Sequence, residues 1–193
     1  FGEVGMASLE TPVCEFGWKA VDFDLLGVDG KRYSLFSSRG RSGLLVMFIC
    51  NHCPYVKAIR DRIIRDIKEL EAYGINSIAI MSNDPLDYPE DSFENMAKVA
   101  KEYNYPFPYV WDESQEIAKC YGAVCTPDFF GFNDKLELQY RGRFDASRKE
   151  AAPLGVHRDL FEAMVQVAKT GKGPMDQIPS IGCSIKWRTD GNA

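Results

Sequence analysis

The run Leu44-Leu45-Val46-Met47-Phe48-Ile49 most constrains the fold, because it is apolar at every position and has the length of a β-strand. A strand that is apolar on both faces belongs in the interior of a sheet that is covered on both sides. An amphipathic pattern follows from Pro54 to about Tyr73, with aliphatic residues every three or four positions between charged ones. Gly74 is a typical helix terminator. The sequence therefore predicts an interior strand followed by a helix that packs on the sheet.

Strand and helix patterns alternate along the rest of the chain. Phe23–Leu26 and Arg32–Leu35 flank an Asp-Gly turn and predict an N-terminal hairpin. The other predicted strands are 75–81, 107–111, 128–132 and 136–140, and the other predicted helices are 93–103, 113–121 and 154–170. Strands that alternate with helices, followed by an antiparallel pair and a last helix, predict an α/β layered domain with a mixed central sheet.

Length and charge limit the classes of partner. The chain has 193 residues, which suits a single domain. Its 23 basic and 28 acidic residues give a net charge of −5, so neither nucleic acid nor an anionic membrane is an expected partner. The longest apolar run ends at Cys50 and is far shorter than the ~18 residues of a membrane helix. The lack of a basic and apolar leader favours a cytoplasmic protein; an exported form whose signal has been removed is the alternative.

Two cysteines stand where the apolar strand gives way to the helix, in the sequence Cys50-Asn51-His52-Cys53-Pro54. Their spacing allows a small disulfide ring, and a thiolate at a helix N-terminus is stabilised by exposed backbone N–H groups and the helix dipole. We expect Cys50 to lie at the exposed edge as the attacking thiolate, with Cys53 buried in the helix as the resolving thiol. Asn51, His52 and Pro54 are expected to tune the pair, and a positive charge on His52 would favour the thiolate and a more oxidising disulfide.

These residues resemble the thioredoxin superfamily, specifically its redoxin branch related to alkyl hydroperoxide reductase and thiol-specific antioxidant proteins. The resemblance depends on the hairpin, the strand–Cys50-Asn51-His52-Cys53-Pro54–helix unit and the later sequence Val124-Cys125-Thr126-Pro127-Asp128-Phe129-Phe130. It implies a thioredoxin-like redoxin domain at 12–171 and a C-terminal tail at 172–193. Residues 1–5, which lack an initiator Met, are separately expected to be a remnant of processing or cloning. It also implies that the Thr126–Pro127 bond is cis and lies against Cys50, so that Thr126 can pair with an extended substrate peptide or a glutathione-like thiol.

The resemblance implies an enzyme, a thiol–disulfide oxidoreductase that cycles Cys50 and Cys53 between disulfide and dithiol. Its implied partners are protein disulfides or low-molecular-weight thiols, together with an upstream reductant or oxidant. No metal, flavin or nucleotide cofactor is expected, and the sequence has no Gly-rich phosphate loop.

Two departures from the superfamily pattern bear on the direction of the chemistry. Leu44 stands where many thioredoxins have a buried acid that moves the proton of the resolving thiol, and Ile49 stands where a Trp is common. Proton transfer must then use water, His52 or another group, which argues against a fast general reductase. The His before the second cysteine and the Thr before the proline are similar to protein disulfide isomerase, and favour oxidation or isomerisation.

A thiol-dependent peroxidase of the peroxiredoxin-like class is the first alternative. In that class the peroxidatic cysteine lies three residues after a Thr or Ser and seven after a Pro. If Cys53 is aligned on that cysteine, these positions hold Cys50 and Val46, so the peroxide-binding frame is missing. Arg143 is a candidate for the positive charge that such a site needs.

Metal binding is the second alternative. The pair could form half of a zinc site with Cys120 and Cys125, or a copper carrier with the distant His157. Cys120 is otherwise expected to be buried in a helix, whereas Cys125 and Cys183 are possible accessory thiols. Cys125 lies two residues from the proline, and Cys183, in the predicted tail, could resolve a mixed disulfide.

Overall fold

The computed structural model describes residues 8–189, so the predicted remnant at residues 1–5 lies outside it. The strands are β1 Ser8–Glu10, β2 Asp24–Gly27, β3 Arg32–Ser34, β4 Gly43–Phe48, β5 Ile75–Met81, β6 Tyr109–Trp111, β7 Cys125–Thr126, β8 Asp128–Asn133, β9 Leu138–Tyr140 and β10 Ile181–Ser184. The α-helices are α1 Leu35–Ser38, α2 Pro54–Glu71, α3 Phe93–Glu102, α4 Glu116–Tyr121 and α5 Asp159–Thr170, and a 3₁₀ turn spans Pro89–Asp91.

Seven strands form the central sheet, in the order β3-β2-β6-β5-β4-β8-β9. β4 is parallel to β5 and antiparallel to β8, and β5 is parallel to β6. The hairpin of β2 and β3 joins the sheet through an antiparallel pairing of β2 with β6. The predicted α/β architecture with a mixed central sheet and an N-terminal hairpin is therefore confirmed.

The side chains of β4 divide between two hydrophobic layers, because successive residues of a strand point to opposite faces. Leu45 and Met47 belong to one buried cluster, and Leu44, Val46 and Phe48 belong to the other. The apolar stripe of α2 packs in the first cluster through Val56, Ile59, Ile63, Ile67 and Leu70. Both faces of β4 are therefore covered, as its continuous apolar run predicts.

The predicted helix at 154–170 begins five residues too early. Gly155 has a φ of +76°, a left-handed conformation that does not belong in an α-helix, and α5 starts only at Asp159. In the same way α4 starts at Glu116 rather than at 113, directly after Gln115 with a φ of +66°. Between residues 8 and 189, no helix has both the length and the apolar composition needed to cross a membrane.

Two strands that lie outside residues 12–171, β1 and β10, are paired with the domain. β10 is the middle strand of a second, three-stranded antiparallel sheet in the order β1-β10-β7. In its register Cys183 lies opposite both Ser8 and Thr126. The predicted boundaries at 12 and 171 therefore do not separate a tail from the body, because β1 and β10 lie beyond them and both belong to this sheet.

Candidate active site

Cys50 and Cys53 lie on the turn that joins β4 to α2. Cys53 is the N-cap residue of α2 without making a side-chain cap, and Pro54 occupies the first helical position, where its missing N–H costs no hydrogen bond. Cys50 is 1% exposed and Cys53 is 0% exposed. The expectation that Cys50 lies at an exposed edge is therefore wrong: the structure buries both sulfurs.

Thr126 meets both cysteines. Its hydroxyl oxygen lies 3.4 Å from the Cys50 Sγ, and its carbonyl oxygen lies 3.3 Å from the Cys53 Sγ, where it can accept a hydrogen bond when Cys53 is protonated. The Thr126–Pro127 peptide bond is cis. Two segments that are more than 70 residues apart in sequence thus meet at one buried cluster of sulfur and oxygen atoms.

A third cysteine completes this cluster. The Sγ atoms of Cys183 and Cys53 are 2.9 Å apart, and Cys183 is only 2% exposed. Through β10, Cys183 also pairs with the backbone of Thr126, the residue expected to pair with a substrate. Of the two cysteines suggested as accessory thiols, Cys183 thus contacts the pair directly.

The thiols of Cys50 and Cys53 have pKa values that are shifted in opposite directions. Burial by itself raises the pKa of the Cys53 thiol, but hydrogen bonds from Cys183, Cys50 and Thr126 outweigh burial and lower that pKa. Burial, the hydrogen bond to Cys53 and the negative charge of Asp91 all raise the pKa of Cys50 well above its ordinary value. The reduced cluster therefore favours a thiolate on Cys53, whereas the sequence led us to expect it on Cys50.

Asp91 holds the loop between the two cysteines. Its buried carboxylate accepts hydrogen bonds from the backbone N–H of Asn51 at 2.7 Å, from the backbone N–H of His52 at 3.3 Å, from the His52 Nδ1 and from the Asn83 amide at 3.0 Å. The Asn51 side chain is fixed separately, because its Oδ1 accepts a 2.8 Å hydrogen bond from the Tyr109 hydroxyl. The loop conformation is therefore set by a buried polar network.

The network changes the role expected of His52. Its ring is paired with a carboxylate through Nδ1 and stacks on Tyr88 with centroids 4.8 Å apart, while its buried Nε2 has no hydrogen-bond partner. A positive charge on His52 would thus face the negative charge of Asp91, which raises the pKa of Cys50. The expectation that His52 favours a Cys50 thiolate did not take into account the Asp91 carboxylate, whose negative charge has the opposite effect on Cys50.

Asp91 is the main residue of the site that the sequence analysis missed. A signal for it exists, since β4 and β5 are parallel neighbours and their carboxyl ends meet at one edge of the sheet. Polar residues in the segment after β5 are therefore candidates to contact the loop after β4.

Cys125 is buried next to Thr126 on β7. Burial and then the charge of Asp128 raise the pKa of its thiol, which therefore stays protonated. Asp128 forms a buried ion pair with Arg141, with the Arg141 Nη2 donating to its Oδ2 at 2.9 Å. The surroundings of Cys125 are thus those of an unreactive thiol.

In the described residues, the structure does not bring together the ligands suggested for a zinc site or a copper carrier. Cys120 is exposed on α4, so the expectation that it is buried is wrong, and His157 is an exposed side chain bonded to Asp159. In the described part of the chain, the one group of three candidate ligand atoms within 4.8 Å of one another comprises Cys50, His52 and Asp91. Two members of that group, His52 and Asp91, are hydrogen-bonded to each other.

Comparisons with known proteins support the predicted family. The AhpC/TSA family profile matches residues 16–144, and no functionally curated protein matches the chain. An uncharacterized conserved protein from Geobacillus kaustophilus is 42% identical, with a TM-score of 0.90 over 97% of this chain and 100% of that one. A hypothetical protein from Sinorhizobium meliloti 1021 is 37% identical, with a TM-score of 0.86 over 94% and 99%.

A more distant match shows the fold alone. The pneumococcal exposed lipoprotein thioredoxin from Streptococcus pneumoniae strain TIGR4 is 21% identical, with a TM-score of 0.55 over 77% of this chain and 98% of that one. The expected resemblance to the redoxin branch and the expected thioredoxin-like fold are both confirmed. The chain therefore belongs to the AhpC/TSA family, whose thioredoxin-like fold carries thiol redox chemistry.

Proposed function

We propose that this protein is a thiol–disulfide oxidoreductase whose working couple is the disulfide and dithiol of Cys50 and Cys53. The observation that carries the proposal is the meeting of both sulfurs at Thr126, 3.4 Å and 3.3 Å from its two oxygens, at the start of α2. A vicinal pair held beside a helix N-terminus is suited to reversible disulfide formation. Membership of the AhpC/TSA family supports the same class of chemistry.

The proposed reaction begins with Cys50. As its sulfur attacks a substrate disulfide, its proton passes to the Cys53 thiolate, to which it is hydrogen-bonded. The attack forms a mixed disulfide and releases one substrate thiolate. Cys53 then attacks the Cys50 sulfur and passes its proton to the departing second substrate sulfur, which leaves a Cys50–Cys53 disulfide, one substrate thiol and the substrate thiolate released in the first step. The reverse sequence donates the disulfide to a dithiol substrate.

Burial of the couple sets a condition on this reaction. Because both cysteines are almost inaccessible, a substrate sulfur reaches Cys50 only after a local opening of the chain around it. The proposed substrates are protein disulfides or low-molecular-weight thiols, and a separate reductant or oxidant returns the couple to its starting state. Equilibration with glutathione buffers gives the direction: a potential near about −270 mV favours a reductase, and one near about −120 to −180 mV favours an oxidant or isomerase.

The test is reduction of insulin disulfides and trapping of the mixed disulfide. Cys50→Ser is expected to abolish exchange, whereas Cys53→Ser is expected to accumulate a mixed disulfide on Cys50 that mass spectrometry locates. Cys120→Ser removes an exposed thiol and serves as the control with unchanged activity. Full activity in both active-site variants would refute the proposal, and a mixed disulfide found on Cys53 of the Cys50→Ser protein would reverse the proposed order of attack.

Peroxide reduction is the second candidate, and the observation that favours it is the 2.9 Å contact between the Cys53 and Cys183 sulfurs, because hydrogen bonds with neighbouring thiols lower the pKa of Cys53. A Cys53 thiolate would attack the O–O bond, release water or an alcohol and become a sulfenic acid, which a neighbouring thiol converts to a disulfide with loss of water. Arg143, suggested as the positive charge for this chemistry, is engaged at 2.5 Å with Asp159. Consumption of hydrogen peroxide that needs Cys53 and a recycling dithiol would establish this activity.

A further inference from the structure

Cys183 is closer to Cys53 than a simple packing role requires. Their Sγ atoms are 2.9 Å apart, only about 0.9 Å more than the ~2.05 Å of a disulfide bond. Both side chains are buried, with exposures of 0% and 2%. A small shift of either side chain would therefore bring the two sulfurs to bonding distance.

The backbone around Cys183 lies close to Thr126 and holds the Cys183 side chain near Cys53. Cys183 pairs with Thr126, and the next residue back, Gly182, passes so close that a Cβ atom there would stand 1.9 Å from the Thr126 carbonyl oxygen. The Ser180 hydroxyl donates a 2.9 Å hydrogen bond to the carbonyl of Pro127, which ties the segment before β10 to the same site. The strand that carries the third sulfur is thus held close to Thr126 and Pro127.

We propose that Cys183 is a third redox thiol, and that Cys53 exchanges its disulfide partner between Cys50 and Cys183. This inference rests on the proposed Cys50–Cys53 couple and adds a second disulfide to it. The Cys183 thiolate attacks the Cys53 sulfur of the Cys50–Cys53 disulfide, so that the Cys53–Cys183 bond forms as the Cys50–Cys53 bond breaks. Cys50 leaves as a thiolate and takes up the proton that Cys183 lost. No electrons enter or leave the three sulfurs.

Cys53 is the shared partner because its sulfur contacts both of the others. In the reduced protein the Cys53 Sγ is hydrogen-bonded to the Cys183 Sγ at 2.9 Å, and hydrogen bonds with Cys183 and Cys50 lower the pKa of Cys53 and give the central sulfur thiolate character. After the exchange the oxidised protein again holds a free thiol at Cys50. Cys50 can then meet a second substrate while the first oxidising equivalent is stored between α2 and β10.

Non-reducing peptide mapping tests the assignment. The full chain is oxidised with oxidised glutathione, quenched in acid, alkylated and digested with trypsin. Cys50 and Cys53 share the tryptic peptide 42–57, and Cys183 is in peptide 173–186. We expect a cross-link between these peptides to be a major product in the wild-type and Cys120→Ser proteins. Formation of the Cys50–Cys53 disulfide, which precedes the exchange, reduces one glutathione disulfide to two thiols.

The matched variants separate this inference from the proposed function. Cys183→Ser is expected to yield only the disulfide within peptide 42–57, and Cys53→Ser is expected to yield neither product. A wild-type digest that contains the Cys50–Cys53 disulfide without the cross-link would refute the role of Cys183 and leave the proposed function intact. A cross-link that persists in Cys53→Ser would also refute it, whereas a cross-link in a wild-type protein inactive in exchange would refute the proposed function instead.

A backbone variant tests the same point without removing any sulfur. Gly182→Ala adds a methyl group that collides with Thr126, so β10 must move away from β7. We expect the cross-link to disappear while the disulfide within 42–57 remains. Gly155→Ala strains an exposed position with a φ of +76° but adds a Cβ that meets nothing within 4 Å, so this control should retain the cross-link. Equal amounts of cross-link in the two alanine variants would contradict the proposal.

Discussion

Asp91→Asn tests whether one buried carboxylate holds the active-site loop. The isosteric amide retains an oxygen to accept from the backbone N–H groups of Asn51 and His52, but its NH₂ replaces the oxygen that faces the His52 Nδ1 and the Asn83 amide. His52 can move its proton to Nε2 and accept from the new amide. Asn83 cannot turn over, because its own carbonyl oxygen accepts from the backbone N–H of Lys186 at 2.9 Å.

The variant therefore loses one hydrogen bond to a charged acceptor at a fully buried position. Such a bond contributes about 1.5–3 kcal/mol, and that is the expected loss in the free energy of unfolding. The neutral amide also removes a negative charge that raises the pKa of Cys50, so this thiol should ionise at lower pH than in the wild type. Alkylation rates of Cys50 measured against pH, with the modified site read by mass spectrometry, report that shift.

Urea unfolding followed by tryptophan fluorescence measures the stability change. Asp87→Asn is the matched control, because it removes the same charge from an exposed side chain four residues away and should change stability by no more than about 0.5 kcal/mol. If Asp91→Asn unfolds at the same urea concentration as the control, the network does not stabilise the loop. If the alkylation profile of Cys50 also stays in place, the electrostatic reasoning fails as well.

Three further predictions concern the scaffold. Burial, opposed by Arg141, raises the pKa of Asp128 from 3.8 to about 6. The folded protein therefore holds this proton more tightly than the unfolded chain, and the resulting stabilisation of about 3 kcal/mol is complete below pH 3.8 and is lost as the pH rises through about 6. Carboxyl NMR should show that titration, and a midpoint near 4 would contradict it. The Ser92 side chain caps α3 by accepting a hydrogen bond from the Asn95 N–H. Ser92→Ala should lower the free energy of unfolding by about 1 kcal/mol, and Ser92→Asp, which keeps a capping oxygen, should change it little. Thermal unfolding measures the difference, and equal melting temperatures of the wild type and both variants would contradict the cap. Leu70 is fully buried, so Leu70→Ala should leave a cavity and lower the free energy of unfolding in urea by about 2–5 kcal/mol. Leu70→Met conserves volume and should lower it by less than about 1.5 kcal/mol. Similar losses in the two variants would argue against tight packing around Leu70.

Local patterns predicted the elements that carry the cysteine pair. The continuous apolar run gave an interior strand, the spacing of aliphatic residues gave α2, and β5 has the predicted bounds Ile75–Met81. The sequence predicts these elements because the apolar residues of each one recur with the period of a strand or a helix. Cys50 and Cys53 could therefore be placed at a strand–helix junction from sequence alone.

The surroundings of the pair depend on distant segments and could not be predicted in the same way. β10 has only four residues, and its place beside Thr126 follows from pairings with strands far away in sequence. Without that strand, Cys183 appeared to belong to a tail, and Cys50 was expected to be exposed. Asp91 likewise acts through a contact across 40 residues, which no local period records.

The order of the three cysteines along the chain has a consequence for protein synthesis. Cys53 precedes Cys183 by 130 residues, and at about 5–20 residues per second a ribosome needs roughly 7–26 s to bridge that interval. Throughout that time the nascent chain holds Cys50 and Cys53 but not the strand that carries Cys183. A disulfide captured on such a chain can join Cys50 to Cys53, whereas the bond to Cys183 must await the last part of translation.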